Sequence, residues 1–277
     1  MERIKIIVCC HKDDIMAHSD VYMPLHVGKA ISENKLGITG DDTGDNISQK
    51  NASYCELTGL YWAWKNLKDT DYIGLSHYRR YFDFHHAGRS GFPVTTLPTA
   101  SFTSTDISVS DEARQWLGEG YAILPTSWNL RTSVYLDYCE RHNSNDFRLL
   151  GDIIKKNSPA PFSKAIWDTM ICSNHLMPLN MFIMGWKQFD EYCSWLFPTL
   201  NEVEEQIDIS NYDPVQRRIF GYMGERMLNI YVKATNMPHK QLPILKFSEE
   251  PEMFPMSLPK YKLRCWMNDL ALKLTYY

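Results

Sequence analysis

Short apolar runs constrain this chain most. Ile4-Lys5-Ile6-Ile7-Val8-Cys9-Cys10, Tyr72-Ile73-Gly74-Leu75-Ser76, Tyr121-Ala122-Ile123-Leu124-Pro125 and Met181-Phe182-Ile183-Met184 are too short for core helices. Nearly continuous apolarity at that length describes strands buried on both faces, as in a parallel sheet. Between them the period changes. From Asn51 to Lys68, the residues Cys55, Leu57, Leu60, Tyr61, Trp64 and Leu67 recur at helical spacing, and Ser53 with Glu56 is positioned to form a capping box. Further helices are expected over 133–141, 187–207, 214–231 and 260–275. Strands alternating with helices select a layered α/β fold.

The chain's 277 residues can bury a full core, as one α/β domain with at most a small appendage. A formal charge of -4 carries no basic excess, so a nucleic-acid partner is not expected. No stretch approaches the roughly 18 apolar residues of a membrane span. The opening Met1-Glu2-Arg3 and the strand after it lack the pattern of a signal peptide, which predicts a cytoplasmic protein. Seven scattered cysteines form no C-x-x-C pair and read as reduced core residues.

Polar clusters sit where the strands end. His77-Tyr78-Arg79-Arg80 follows the second run, and arginine forks match phosphate oxygens bidentately, so an anion site is expected there. The polar loop from His11 to Asp20 leaves the first strand, at the edge where open sheets bind ligands. Gly44-Asp45-Asn46-Ile47-Ser48-Gln49-Lys50-Asn51 offers backbone N–H groups and an ammonium, yet fits neither a Walker loop nor a calcium loop. His175 and Asn180 flank the strand at Met181, and Arg217, Gly221 and Glu225 share one helical face. Residues 85–111, rich in Gly, Pro, Ser and Thr, read as a mobile lid or an acceptor-facing segment.

Four ordered segments resemble a known family. They are GDNISQKNASYCELTGLYWAWKN (44–66), DYIGLSHYRRYF (71–82), LNMFIM (179–184) and RIFGYMGERMLNIY (218–231). Together they are similar to bacterial glycosyltransferases of capsule and lipopolysaccharide O-antigen clusters, some of which transfer galactofuranose. The resemblance implies a GT-A type fold, a mixed and mostly parallel Rossmann-like sheet flanked by helices, over residues 1–240, with 241–277 as an extension. It implies transfer of a hexose, galactofuranose or galactose, from a UDP-sugar to an oligosaccharide or lipid-linked acceptor, with inversion. The alternatives are a retaining hexosyl or sugar-phosphate transferase, and a non-catalytic nucleotide- or carbohydrate-binding subunit.

Substrate contacts are then expected from Cys10, His11, Gly28, Asp45, Asn46, Lys50, Glu56, His77, Tyr78, Arg79, Arg80, Asn180 and Arg218. His175, Glu225 and Asp146 are the candidate bases for the acceptor hydroxyl. Most GT-A enzymes hold a divalent metal with Asp-x-Asp at a strand's end. Here the triplet Asp69-Thr70-Asp71 precedes its strand, and the arginines follow it. Metal independence is therefore expected, with Mn or Mg held through Asp45 or His77 as the alternative. The segment from Lys260 to Leu274 interleaves basic and aromatic residues and is expected either to pack as an ordinary helix or to touch an anionic membrane.

Overall fold

The computed structural model describes residues 2–276. Strand β1 (Ile4–Cys10) is the organising element. Ile4, Ile6, Val8 and Cys10 enter one hydrophobic cluster and Ile7 and Cys9 the other, so the strand is buried on both faces as its composition demands. It pairs in parallel with β2 (Tyr22–His26) and with β3 (Tyr72–His77). Gly74 lies at the tightest part of β3. A Cβ there would stand 2.8 Å from the Phe182 carbonyl oxygen and 3.0 Å from Ile183, so the close approach of β9 (Phe182–Gly185) requires glycine.

The sheet has nine strands, and its remaining members are β4 (Arg80–Phe82), β5 (Val94–Leu97), β6 (Ala122–Pro125), β10 (His239–Leu242) and β11 (Ile244–Phe247). From one edge they run β10-β6-β9-β3-β4-β11-β5, with β1 and then β2 added beside β3. The pairing is mixed. Antiparallel β9 leaves β3 at Leu75 and β4 takes over at His77, so the sheet forks where β3 ends. Because β11 lies between β4 and β5, the sheet continues beyond residue 240. A small hairpin of β7 (Trp128–Asn129) and β8 (His175–Leu176) stands apart.

Helices α1 (Asn51–Tyr54), α2 (Leu57–Asn66), α4 (Val134–Arg141), α5 (Ser144–Asn157), α6 (Ala160–Ile166), α7 (Trp186–Glu204) and α8 (Ile219–Ala234) pack with the first cluster. The second cluster takes α3 (Asp111–Gly118) and the start of α9 (Leu258–Tyr276). The α/β architecture with a mixed sheet between helices is as expected from the alternation of periods.

Several local details differ from the expectations. The helix expected from Asn51 to Lys68 is broken at Cys55, whose φ of 52° lies in the left-handed region. The cause is local: the Asn51 side-chain amide donates to the Cys55 carbonyl at 2.7 Å and ends α1. No capping box forms, because the Ser53 hydroxyl donates to the Lys50 carbonyl and Glu56 turns towards Asn180. Arg80 is the first residue of β4 and pairs across a tight turn with His77. Within the soft segment 85–111, Val94–Leu97 forms the edge strand β5, paired in parallel with β11.

Candidate active site

A cleft of about 990 Å³ opens at the carboxyl ends of β1 and β3, the edge of a sheet where ligands bind in open α/β folds. His11 beyond β1, His77 ending β3 and Arg80 opening β4 form its floor. Its opposite wall is the bend between α1 and α2, carrying Glu56, and the start of α8, carrying Arg218 and Glu225. These two helices meet closely: a Cβ at Gly221 would lie 3.0 Å from the Cys55 sulfur.

Backbone strain concentrates here. Cys55, Leu179 and Asn180 all have positive φ, at 52°, 71° and 52°, which costs free energy at residues other than glycine. The strained groups also hold one another. His77 Nε2–H donates to the Leu179 carbonyl at 2.8 Å, the Leu179 N–H donates to Glu225 at 2.6 Å, and the Asn180 amide donates to Glu56 at 2.7 Å and to the Gly221 carbonyl at 3.3 Å. Glu225 is further engaged by Arg226, a buried cation that also approaches Asp137.

The charge distribution is asymmetric. Five arginines line the cleft against the three carboxylates Glu56, Asp137 and Glu225. Arg141 and Arg226 are taken by Asp137 and Glu225. Arg80, Arg217 and Arg218 make no ion pair among the described residues. Arg80 is partly buried, and loss of hydration pulls its pKa below the ordinary value, a cost that a bound anion would offset. Arg218 meets the Cys55 sulfur at 3.3 Å.

Glu56 is the unusual acid. Burial raises its pKa above the ordinary carboxylate value, against the opposing effects of the Asn180 hydrogen bond and of Arg218 and Arg80. His77 is displaced the other way, to about 4, first by burial and then by Arg80. Its imidazole is therefore expected to stay neutral through the physiological range, with Nε2 carrying the proton, and to charge only near pH 4. The native state loses stability as pH falls from the ordinary histidine value towards 4, since only the unfolded chain takes up this proton readily. Ring-proton NMR shifts of His77 across that interval measure the titration directly.

Of the residues expected from sequence, His11, Glu56, His77, Tyr78, Arg80, Arg218 and Glu225 come together on the cleft wall. Asn180 stands behind Glu56 and orients it. Arg79 points elsewhere: its guanidinium clamps Asp14 through contacts of 2.9 and 2.6 Å. Cys10 is buried at the end of β1, its thiol pushed up to about 12 mainly by desolvation. Gly28 forms a left-handed turn packed on Asn51, its N–H bound to the buried carboxylate of Asp41.

The remaining candidates lie outside the cleft. Asp45 accepts from Tyr61, Asn46 bonds within its own turn, and Lys50 is paired with Glu204 at 2.6 Å. Asp146 accepts from the Tyr212 hydroxyl at 2.6 Å beneath α5. His175 lines a separate cavity of about 330 Å³ and pairs with Asp269 at 3.3 Å. Sequence reasoning missed Arg141 and His142, because nothing local marks the end of α4 as facing this cleft.

Comparisons with known proteins show the family and a related fold. The chain belongs to a family of domains described as DUF4422, a domain of unknown function, whose model matches residues 5–236. Its structure is similar to that of WbbM, described as a bifunctional glycosyltransferase in its apo form. The identity is 32% and the TM-score 0.81, over 91% of this chain and 46% of that one. This chain thus spans about half the length of that protein. A comparison with curated proteins gave no match.

Proposed function

We propose that this chain is a GT-A type glycosyltransferase domain that moves a hexose, galactofuranose or galactose, from its UDP derivative to a growing surface polysaccharide in the cytoplasm. The observation that carries the reading is Arg80, a partly desolvated guanidinium at the exit of β3 that forms no ion pair among the described residues. Similarity to a glycosyltransferase structure over most of the chain supports it.

The diphosphate lies against Arg80, Arg217 and Arg218, whose forks take its oxygens. Glu56 accepts the proton of the acceptor hydroxyl. The hydroxyl oxygen bonds to the anomeric carbon as the carbon–phosphate-oxygen bond breaks, the configuration inverts, and UDP leaves with its new charge on the arginines. Neutral His77 holds the Leu179–Asn180 turn, and Asn180 holds Glu56 in line.

A divalent cation, which the GT-A resemblance implies, does not fit the donors present. Asp71 and Asp69 precede β3, at its other end, and bind Arg3. In the cleft, Asp137 and Glu225 are occupied by arginines, and among the described residues no group of three or more His, Cys, Asp or Glu could hold a metal ion. The arginines are proposed to stabilise the leaving group instead.

The test is turnover. With a panel of UDP-hexoses and an oligosaccharide acceptor, UDP release and a product one hexose heavier are expected, with inverted configuration by NMR. UDP binding with neither transfer nor donor hydrolysis would instead make the chain a binding subunit.

A further inference from the structure

Half of the large apolar side chains exposed on the described molecule lie on one helix. Leu263, Trp266, Met267, Leu270 and Leu274 of α9 are 40–78% exposed, five of ten such residues in all. At about 100° per residue they fall on a single stripe roughly 100° wide. Lys260 flanks the stripe on one side and Lys262 and Lys273 on the other, all three exposed.

The opposite face of α9 is fixed to the body of the protein. Tyr261 packs between Phe92 and Phe254, with ring centroids 4.9 and 5.1 Å away. Asp269 accepts hydrogen bonds from Asn129 at 2.6 Å and Asn174 at 3.0 Å, and pairs with His175. Asn268 donates to Asn129 at 2.8 Å. The one acid of the helix, its side chain 39% exposed, is thus engaged by the body of the protein, and the charges flanking the apolar stripe are the exposed lysines, on a chain whose formal charge is -4. Among the described residues no helix is long and apolar enough to cross a membrane.

We propose that the outer face of α9 is a docking surface for an anionic lipid bilayer. The helix lies in the plane of the interface, its apolar stripe in the headgroup–acyl boundary, while the lysines snorkel to lipid phosphates. A second copy of the chain fits less well, since pairing two stripes would bring lysine rows together. The rigid inner face presents the stripe as a preformed plane. The proposal is independent of the transfer chemistry.

Flotation of the full chain with vesicles tests it, using phosphatidylcholine mixed with phosphatidylglycerol, and phosphatidylcholine alone. Binding is expected on the mixed vesicles and is expected to be much weaker on the neutral ones. The pair Lys262→Gln and Lys273→Gln should weaken it about thirtyfold, roughly fivefold per lysine. Leu263→Asn with Leu270→Asn should abolish it while the circular dichroism spectrum stays unchanged. A blue shift of tryptophan emission on binding should shrink in Trp266→Phe. Absence of flotation, or equal binding to both vesicle types, overturns the proposal. So does a dimer in sedimentation that Leu270→Asn dissociates, which would make a second copy the occupant.

Discussion

Arg80→Ala is expected to weaken UDP binding by about ten- to a hundredfold, the range for losing a hydrogen bond to a charged group. Arg80 approaches the cleft already stripped of part of its hydration; it forms no ion pair among the described residues, and the fields of Glu250 and Glu56 leave its pKa still below the ordinary value. An anion entering the cleft supplies the missing partner in a partly water-excluded setting, where the pair gains more than at the surface. Arg79→Ala should behave differently. Its guanidinium is committed to Asp14, so removing it loosens the loop after β1 and leaves a nearby carboxylate free, with a smaller loss of affinity. Arg80→Lys keeps a point charge but not the fork, and should fall between. Calorimetry with EDTA and then with manganese measures all three variants. Unchanged affinity in Arg80→Ala, or binding by the wild type only when manganese is present, would remove Arg80 from the diphosphate site.

What the sequence revealed divides along physical lines. Strands buried on both faces announce themselves by composition alone, so β1, β3, β6 and β9 were legible. Short edge strands were not: β2 has Pro24 inside it, and β5, though its Val-Thr-Thr favours extension, is only four residues long within a segment rich in Gly, Pro, Ser and Thr. That the cluster after β3 brings a cation to the sheet's carboxyl edge was legible, because two adjacent arginines follow a buried strand. Which of the two faces the cleft was not, since that depends on the turn at Tyr78–Arg79 and on Asp14, 65 residues away. By local spacing Glu56 read as a capping residue, because Ser53 stands three residues before it, and only the family resemblance put it among the substrate contacts. Only Asn180, 124 residues distant, shows that it has left the helix cap for the cleft. His175 and Asp146 carried the right chemistry, but the fold gives them to Asp269 and Tyr212.

Glu56→Gln is expected to lower transfer by about a hundred- to ten-thousandfold, the usual contribution of a general base, while UDP affinity stays close to that of the wild type. The glutamine oxygen can still accept from Asn180, so the wall of the cleft is preserved and only the proton acceptor is lost. The wild-type rate should fall as pH drops through the pKa of Glu56, which burial holds above the ordinary carboxylate value, and that acid limb should vanish in the variant. Stability carries the opposite sign. Below the unfolded-state pKa, Glu56 is protonated in both states and contributes no penalty. As pH rises through the interval up to the raised native value, the unfolded chain releases the proton first, and the native state becomes less stable. Above the raised native value the full penalty is present, so Glu56→Gln should raise the melting temperature increasingly as pH rises from the ordinary carboxylate range and leave it nearly unchanged in acid. Glu225→Gln separates this role from a structural one. Glu225 holds the Leu179 N–H and Arg226, so its loss should lower stability, through a buried cation left short of its partner. A variant at Glu56 that is both less stable and fully active would show a carboxylate that braces the fold, and the base would then have to be sought elsewhere in the cleft.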